Sequence, residues 1–257
     1  MINYILGIVE EKLMYQNYIF DLYGTLVDIR TDESSPLFWQ SISNELKNTY
    51  GIQIDSLSLE TLYHKLVEKE FDKIKNDYKN YTYYDINLEN VFKQIFSSYN
   101  KQIDDTLINN FAVLFRQTST KKLCLYDGVI DLLESLKRKE KNIFLLTNAQ
   151  RCFTFYELQK LKLVDYFTSI QISSDLCCSK PDQKLFEFLF SKNNLKKEES
   201  IMIGNDYSTD INGANTFGID SLYIHQSISP SIENIEINSK WKILDGNVYD
   251  IKKYILK

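Results

Sequence analysis

Short apolar runs and longer helical patterns alternate along the chain. The apolar runs lack polar alternation, which is typical of parallel strands buried on both faces. They are "YIF" before Asp21, "NIFLLT" from Asn142, "SIQI" from Ser169, "SIMIG" from Ser200 and "SLYI" from Ser221. The helical patterns are "DGVIDLLESLKRKE" from Asp127, "KPDQKLFEFLFSKN" from Lys180 and "DINGANTFG" ending on Gly218. This alternation predicts a doubly wound parallel sheet of the α/β class.

One long interval interrupts the alternation. Between residues 35 and 122 the sequence has no convincing strand and shows amphipathic helical patterns, such as "LFWQSISNELKNTYG" and "LETLYHKLVEKEFDKIKNDY". We therefore predict an α/β core, residues 14–34 and 123–257, with an all-helical domain of residues 35–122 inserted into it. Because Met14 directly precedes the first strand, residues 1–13 are expected to be an N-terminal extension.

Composition and charge exclude several classes of protein. A hydrophobic content of 44% with 25% charged residues, 3 Pro and 8 Gly indicates an ordered globular chain. The net charge of -5, without blocks of lysine, predicts neither nucleic-acid nor membrane binding. Four cysteines without CxxC spacing and two histidines offer no zinc site, and we expect reduced thiols. The N-terminal "MINYILGIVEEKLM" has two acids within a short apolar stretch, which is typical of neither a secretory signal nor a spanning helix, so we expect a cytoplasmic protein. The sequence indicates no oligomeric state.

Polar residues follow several of the predicted strands, at the edge where open α/β sheets bind ligands. Asp21 ends the first strand and is followed by Gly24 and Thr25, in a turn whose backbone N–H groups can face an anion. Such a carboxylate can act as a nucleophile. Thr147 and Asn148 end the second strand and can hold a phosphoryl oxygen or an oxyanion. Taken singly, each of these residues is more often a turn or cap residue.

Lys180, Asp206 and Asp210 complete this set, and Arg30 is a further candidate. Lys180, before a predicted helix, can offset the charge around a carboxylate and an anionic substrate. Asp206 and Asp210 follow the fourth strand and can face a hard cation together, although an acidic first helical turn is the ordinary explanation. Arg30, where the chain enters the insertion, either contacts a substrate carboxylate or phosphate or is a solvated loop charge.

The four segments that carry these residues, taken in order, resemble the motifs of the haloacid dehalogenase-like (HAD) hydrolase superfamily, which consists mostly of phosphatases. The segments are "DLYGTLVD", "LLTNA", "SKPDQKLF" and "IGNDYSTDINGA". The resemblance covers residues 14 to 257. It implies a Rossmann-type core with a helical cap inserted after the first motif, and a Mg²⁺-dependent phosphatase of a small phosphorylated metabolite.

The resemblance also implies roles for individual residues. Asp21 would form an aspartyl-phosphate, Thr147 and Asn148 would bind the transferring group, and Lys180 would orient the nucleophile. The Mg²⁺ ligands would be Asp21, Asp206, Asp210 and the main-chain carbonyl of Tyr23. The metal would neutralise charge that otherwise repels the attacking carboxylate.

Two positions depart from the phosphatase pattern. Tyr23 stands where an Asp usually protonates the leaving group, and the pKa of about 10 of an ordinary tyrosine does not suit that task. Either Asp28 or a cap residue supplies the proton, or the leaving group departs unaided. Asn205 stands where the family usually has an Asp, so Asp206 is expected to swing in as the ligand.

Other functions remain open. The "D-x-Y-G-T" pattern is similar to that of metal-independent 2-haloacid dehalogenases, in which a departing halide needs no proton. Against this alternative, Asp206 and Asp210 are retained, and Phe186 stands where those enzymes have a Tyr. A catalytically weak protein that binds a small anion or a partner is the third possibility.

Overall fold

The computed structural model describes residues 15–256, and the extension predicted at residues 1–13 lies outside them. In chain order the strands are β1 (Asn17–Phe20), β2 (Val27–Thr31), β3 (Thr120–Leu125), β4 (Asn142–Thr147), β5 (Ser169–Ile172), β6 (Ser200–Gly204), β7 (Asp220–Ile224) and β8 (Trp241–Ile243). The helices are α1 (Pro36–Tyr50), α2 (Ser56–Asp77), α3 (Leu88–Ser98), α4 (Asp105–Ser119), α5 (Val129–Arg138), α6 (Arg151–Lys160), α7 (Ser173–Leu176), α8 (Gln183–Asn193), α9 (Asn212–Phe217) and α10 (Ile251–Ile255).

Six parallel strands form the central sheet, in the order β5-β4-β1-β6-β7-β8. The chain adds β4 and β5 on one side of β1 and then β6, β7 and β8 on the other, so the direction of winding reverses at β1. This arrangement confirms the predicted doubly wound parallel sheet and its five predicted strands. The central position of the strand before Asp21, implied by the resemblance, is also confirmed. The short strand β8 is additional to the prediction.

Strand β1 is buried on both faces, as its continuous apolar run predicts. Tyr18 and Phe20 pack in one hydrophobic cluster, beneath α5 and α10, and Ile19 packs in another, beneath α8 and α9. These alternate directions follow from the two-residue period of a strand. The sheet thus holds the residue after β1 in a rigid position at its centre.

Four helices, α1 to α4, form the insertion between β2 and β3, as predicted. Their apolar faces form a separate cluster rich in aromatic residues. Asp55 and Asp104 cap α2 and α4 by accepting hydrogen bonds from the backbone N–H groups of Ser58 and Leu107. No helix within residues 15–256 is long and apolar enough to cross a lipid bilayer.

An antiparallel ribbon of β2 and β3 connects the insertion to the core. Residues 120–122, which the sequence pattern assigns to the helical interval, lie in β3. The expectation that this interval lacks a strand is therefore wrong at its last three residues. The reason is that "TKKLCL" has little burial of its own and pairs with a strand ninety residues earlier. The division into domains stays a prediction.

Candidate active site

The carboxyl ends of three neighbouring strands form a small cavity of about 230 Å³. Asp21 follows β1, Thr147 ends β4 and Asn205 follows β6, so the three side chains meet where the winding of the sheet reverses. The cavity is lined by Asp21, Tyr23, Thr147, Asn148, Lys180, Asn205, Asp206, Thr209, Asp210, Ile228 and Pro230. Most of the predicted site residues therefore lie together.

Lys180 is the centre of charge in this cavity. Its Nζ donates to Asp21 Oδ1 at 2.7 Å, to Asp210 Oδ1 at 2.7 Å and to the carbonyl oxygen of Leu146 at 2.8 Å. The ammonium group is fully buried, and all three of its N–H donors have acceptors. Burial alone would lower the pKa of Lys180, but the charges of Asp21 and Asp210 outweigh it and raise that pKa. Lys180 therefore stays charged beside Asp21.

Asp21 and Asn205 are connected through Thr25. The Thr25 hydroxyl lies 3.3 Å from Asp21 Oδ2 and 3.2 Å from Asn205 Oδ1, and it can donate to either. Gly24 has a φ of +86°, and a Cβ at this position would lie 2.2 Å from Asn205 Nδ2. Both the left-handed backbone and the close approach of Asn205 therefore require glycine here.

Thr147 has the buried polar atom best suited to an incoming ligand. Its Oγ1 is buried and has no hydrogen-bond partner in the part of the chain that is described. A buried hydroxyl without a partner costs free energy, which a ligand oxygen in the cavity would recover.

Asn148 instead holds the backbone of Lys180. Its Nδ2 donates to the Lys180 carbonyl oxygen at 3.0 Å, and its Oδ1 accepts from the Lys180 N–H at 2.7 Å. This pair of bonds joins the loop after β4 to the loop that carries Lys180. Asn148 therefore lines the cavity, but its amide oxygen and its Nδ2 are already bonded to the Lys180 backbone.

The carboxylates of Asp206 and Asp210 point in different directions. Asp206 Oδ1 accepts hydrogen bonds from the Ser208 N–H at 2.8 Å and the Ser208 hydroxyl at 2.6 Å, which is a helix-capping geometry. Asp210 is fully buried and turns inward, with Oδ1 on Lys180 and Oδ2 3.0 Å from the Asp206 N–H. Burial raises the pKa of Asp210, while the charge of Lys180 opposes the rise.

Tyr23 directs its phenol away from Asp21. The hydroxyl donates to Glu157 on α6 and lies 3.1 Å from Thr154 Oγ1. Glu157 also accepts a hydrogen bond of 2.7 Å from Arg116 Nε, and Arg116 lies 3.5 Å from Glu33. Burial, followed by the charge of Glu157, raises the pKa of Tyr23. We call the four residues Tyr23, Glu157, Arg116 and Glu33 the hinge cluster, because they join the core to both connections of the insertion.

Four residues considered from the sequence do not line the cavity: Gly24 and Thr25, which lie behind Asp21 and Asn205, and Arg30 and Asp28. Arg30 is exposed on β2, in register with Lys122. Asp28 is buried on the same strand and forms an ion pair with Lys122. The β2–β3 ribbon therefore pairs Asp28 with Lys122 and leaves Arg30 exposed to solvent.

The loop after β7 supplies residues that the sequence pattern did not indicate. Ile228 and Pro230 line the cavity, and the Ser229 hydroxyl accepts a hydrogen bond of 3.1 Å from Asn205 Nδ2. Thr209 also lines it. Asn205 was singled out in sequence only as a departure from a motif, and its contact with Ser229 spans 24 residues, so no local pattern could reveal it.

The site combines a buried carboxylate, an ammonium group and a free hydroxyl at one sheet edge. Such a set can bind a small anion and hold a nucleophilic carboxylate against it. Of the residues described, no group of three Asp, Glu, His or Cys side chains is arranged to hold a metal ion. The hard oxygen donors that converge are two carboxylates, Asp21 and Asp210, and the amide oxygen of Asn205.

Several proteins of known sequence or structure are similar to this chain. Pyrimidine 5'-nucleotidase PynA of Streptococcus pneumoniae is 26% identical over 167 residues, which are 62% of this chain and 69% of that protein. Among solved structures, a 2-haloacid dehalogenase from Pseudomonas syringae aligns with a TM-score of 0.63 at 16% identity, covering 95% of this chain and 98% of that chain. The magnesium-bound structure of YfnB from Bacillus subtilis, which reveals interdomain movement, aligns with a TM-score of 0.53 at 18% identity, covering 95% and 99%.

The profile of one family matches most of the core and part of the insertion. It describes haloacid dehalogenase-like hydrolases and matches residues 52–224, about two thirds of the chain. This range includes Thr147, Lys180 and Asp210 and begins after Asp21. With the parallel sheet and the inserted helices, the match identifies the chain as a member of the haloacid dehalogenase-like hydrolase family.

Proposed function

We propose that this hydrolase is a Mg²⁺-dependent phosphatase that acts on a small phosphorylated metabolite through an aspartyl-phosphate at Asp21. The observation that carries the proposal is the position of Lys180 Nζ, 2.7 Å from both Asp21 and Asp210, in a cavity that also holds the unpartnered hydroxyl of Thr147. A cationic centre, a carboxylate and a free donor suit a phosphoryl group, whose charge is spread over three oxygens.

The oxygen ligands in the cavity suit a magnesium ion. Because Asn205 is neutral, they carry one negative charge fewer than they would with an Asp at this position. Asp21, Asp210, the Asn205 amide oxygen and the Tyr23 main-chain carbonyl would hold it, since Mg²⁺ prefers hard oxygen ligands. Asp206 would join them only if its carboxylate left Ser208. When bound, the ion would supply charge neutralisation between the nucleophile and the phosphoryl oxygens. The YfnB structure, which contains magnesium, is consistent with this proposal.

The chain's own residues have separable tasks in this proposal. Asp21 attacks phosphorus with one carboxylate oxygen, and Lys180 keeps the other oxygen oriented by its hydrogen bond. Thr147 donates its free hydroxyl to a phosphoryl oxygen. The N–H groups of Gly24 and Thr25 are not free for the anion, because they donate to the carbonyl oxygens of Val27 and Leu22 within the turn. Asn148 acts by holding the Lys180 backbone. The cavity volume of about 230 Å³ suits a small group, which supports a metabolite over a macromolecular substrate.

A 2-haloacid dehalogenase is the second candidate, and one observation favours it. Tyr23 and Asn205 replace the two carboxylates that the phosphatase pattern would place here, so the site has fewer metal and proton-transfer groups. Displacement of halide from carbon by Asp21 needs neither group. Against this candidate, Asp210 remains buried beside Lys180, a position in which its charge suits a cation.

A product-release assay tests both candidates. Purified protein would be incubated with phosphorylated metabolites and with 2-chloropropionate, in Mg²⁺ and in EDTA. Phosphate and halide would be measured for the wild type, for Asp21→Asn and for the control Asp77→Asn, the same change at an exposed residue of α2.

We expect phosphate release that requires Mg²⁺ and is abolished by Asp21→Asn, while Asp77→Asn behaves as the wild type. Halide release in EDTA would replace the phosphatase with the dehalogenase. No release of either product would favour a protein that binds a small anion or a partner.

A further inference from the structure

Position 23 offers no proton to a leaving group. The phenol of Tyr23 donates its hydrogen to the Glu157 carboxylate, and Thr154 Oγ1 lies 3.1 Å from the same hydroxyl. Glu157 is itself 1% exposed, and both of its carboxylate oxygens already accept hydrogen bonds, Oε2 from Tyr23 and Oε1 from Arg116 Nε at 2.7 Å. No proton therefore passes from Glu157 through Tyr23 to a leaving group.

The other ionisable groups that line the cavity are also engaged in hydrogen bonds, Asp206 through Oδ1 alone. Lys180 uses its three N–H donors on Asp21, Asp210 and the Leu146 carbonyl. Asp210 accepts from Lys180 and from the Asp206 N–H. The Asp206 carboxylate caps the turn at Ser208. In the described residues 15–256, the cavity lining has no further Asp, Glu, His, Cys, Lys or Arg side chain, and it includes no residue of helices α1 to α4.

We infer that this enzyme cleaves phosphates without protonating the leaving group, and that its substrates are phosphates of acidic hydroxyls, namely acyl, enol and aryl phosphates. The inference rests on the proposed phosphatase function and narrows its substrate class. A general acid typically accelerates such a reaction about 10²-fold to 10⁴-fold. Ordinary alkyl phosphates, whose alkoxide leaves poorly, lack this acceleration here and are correspondingly slow.

The reaction balances without a general acid. An Asp21 oxygen forms a bond to phosphorus while the bond from phosphorus to the leaving oxygen breaks, and that oxygen departs as an anion with both bonding electrons. Water then attacks the phosphorus of the aspartyl-phosphate, the Asp21 carboxylate leaves with its electron pair, and the proton of the water passes to a phosphate oxygen or to solvent. Only the first step depends on the acidity of the leaving group.

The test is the dependence of kcat/KM on the pKa of the leaving group. Substituted phenyl phosphates vary this pKa at nearly constant size and charge, and benzyl phosphate adds an alkyl leaving group of matched size. The series is measured with Mg²⁺ for the wild type, Tyr23→Phe and Asp21→Asn. Tyr23→Phe removes only the phenol hydroxyl and keeps the ring beneath Arg116.

We expect kcat/KM to fall steeply as the leaving-group pKa rises, with benzyl phosphate slower than the most acidic phenyl phosphate by about 10²-fold to 10⁴-fold or more. Tyr23→Phe should give the same slope, whatever its absolute rate.

A flat series that needs Mg²⁺ and Asp21 would overturn the inference while leaving the phosphatase intact, because some group would then donate a proton. A steeper slope in Tyr23→Phe would overturn it as well and assign that role to Tyr23. No phosphate release even from the most acidic phenol would overturn both the inference and the proposed function.

Discussion

At the scale of single residues, Asn205 is the departure from the family pattern that has the most contacts within the site. It fills the space above Gly24, shares the Thr25 hydroxyl with Asp21 and donates to Ser229. A carboxylate at this position would add a charge next to Asp21 and Asp210. Neutral Asn205 therefore lowers the negative charge of the site and, with it, the attraction for a cation.

We predict that Asn205→Asp strengthens Mg²⁺ binding. The added charge should lower the half-saturating Mg²⁺ concentration for phosphate release by at least about tenfold, which corresponds to about 1.4 kcal/mol. In EDTA the same variant should unfold at a lower temperature than the wild type, because three buried carboxylates would repel one another. Mg²⁺ titrations and thermal unfolding in both conditions measure the two effects.

Asp206→Asn provides the matched control. Because the Asp206 carboxylate is bonded to Ser208, we expect little change in the half-saturating Mg²⁺ concentration. A large increase would show that Asp206 swings in as a ligand, as the sequence comparison with the family predicts.

Alanine substitutions at two glycines can separate the energetic cost of a left-handed backbone from the cost of steric contact. Gly24 and Gly218 have φ angles of +86° and +85°, but an added Cβ meets Asn205 Nδ2 at 2.2 Å only at Gly24, and nothing within 4 Å at Gly218. Gly218→Ala should cost about 1–2 kcal/mol of the free energy of unfolding, from the left-handed backbone. Gly24→Ala should cost about 1–3 kcal/mol more. Equal losses in urea unfolding would show that Asn205 moves aside freely.

The sequence predicted much of the site at this scale, but not its contacts. Asp21, Thr147 and Lys180 follow strands or precede a helix, so their meeting at one sheet edge could be inferred from the fold class. The direction of a side chain depends on distant partners. Tyr23 turns to Glu157, 134 positions later, and Asn205 reaches Ser229 in a loop without a regular pattern. No spacing rule contains such information.

At the scale of secondary-structure elements, the hinge cluster joins α4 and α6 to the loop after β1. Arg116 lies in the last turn of α4, where the chain returns to the core, and Glu157 lies on the buried face of α6. The guanidinium also lies 5.2 Å from the ring centre of Phe153. A buried ion pair is expensive to break by removing one partner, because the other charge stays buried.

We predict that Glu157→Ala lowers the free energy of unfolding by about 3–5 kcal/mol, since it leaves Arg116 buried without its main partner. The double variant Glu157→Ala with Arg116→Met should recover part of this loss. Urea unfolding of both single variants and the double variant completes a double-mutant cycle. Strictly additive losses would contradict the pairing of these two residues.

A second connection between elements lies on the other side of the site. The segment from Tyr81 to Leu88, between α2 and α3, lies against the core loop from Ser173 to Asp182, and we call this contact the clasp. Its backbone bonds are Asp85 N–H to the Cys177 carbonyl at 3.0 Å and Ser179 N–H to the Tyr83 carbonyl at 3.1 Å. Asp182 accepts from the Thr82 and Tyr83 N–H groups, and Gln150 bonds to both Ile86 and Leu88.

The clasp contains a carboxyl group with a shifted pKa. Burial raises the pKa of Asp85, although hydrogen bonds from Ser173, the Ile86 N–H and Gln150 oppose the rise. A carboxyl whose pKa is higher in the folded state stabilises the fold most at pH below its unfolded pKa of about 3.9, and this stabilisation is lost as pH rises through the folded pKa.

Asp85→Asn should therefore become more favourable relative to the wild type as pH rises from about 4, the ordinary pKa of Asp, towards neutrality. Its free energy of unfolding relative to the wild type would be measured by urea unfolding across this range. Asp77→Asn, the same change at an exposed position of α2, is the control. A relative stability of Asp85→Asn that falls with pH would reverse the assigned direction of the shift.

At the scale of the whole molecule, the sequence predicted the main strands and the inserted helices better than the short strands at their edges. Long apolar runs and amphipathic helices report burial directly, so the five strands and the inserted helices could be predicted. The β2–β3 ribbon and β8 are short and half-exposed, and they are stabilised by pairing. Helix α6 buries the polar residues Thr154 and Glu157 beside Phe153 and Leu158, so its apolar residues alone do not mark the buried face in the sequence.

The rate at which a cysteine is alkylated can report whether the folded molecule opens. Cys124 is exposed on β3, whereas Cys178 is fully buried, and burial raises its pKa to about 12. Because the thiolate is the reactive form, we expect iodoacetamide at pH 8 to modify Cys124 first and Cys178 only at the rate of unfolding. Peptide mass spectrometry over time measures both rates. Fast modification of Cys178 in the native protein would show that the clasp opens locally.

The clasp also bears on how such proteins diverge. Its core partners, Gln150 and Asp182, lie two positions after Asn148 and Lys180, so the surface that receives the insertion is encoded within the motif segments or directly beside them. A helical insertion transplanted from a relative would need matching acceptors and donors at these positions. The insertion and the motif loops are therefore expected to change together during evolution, and a chimera should exchange both at once.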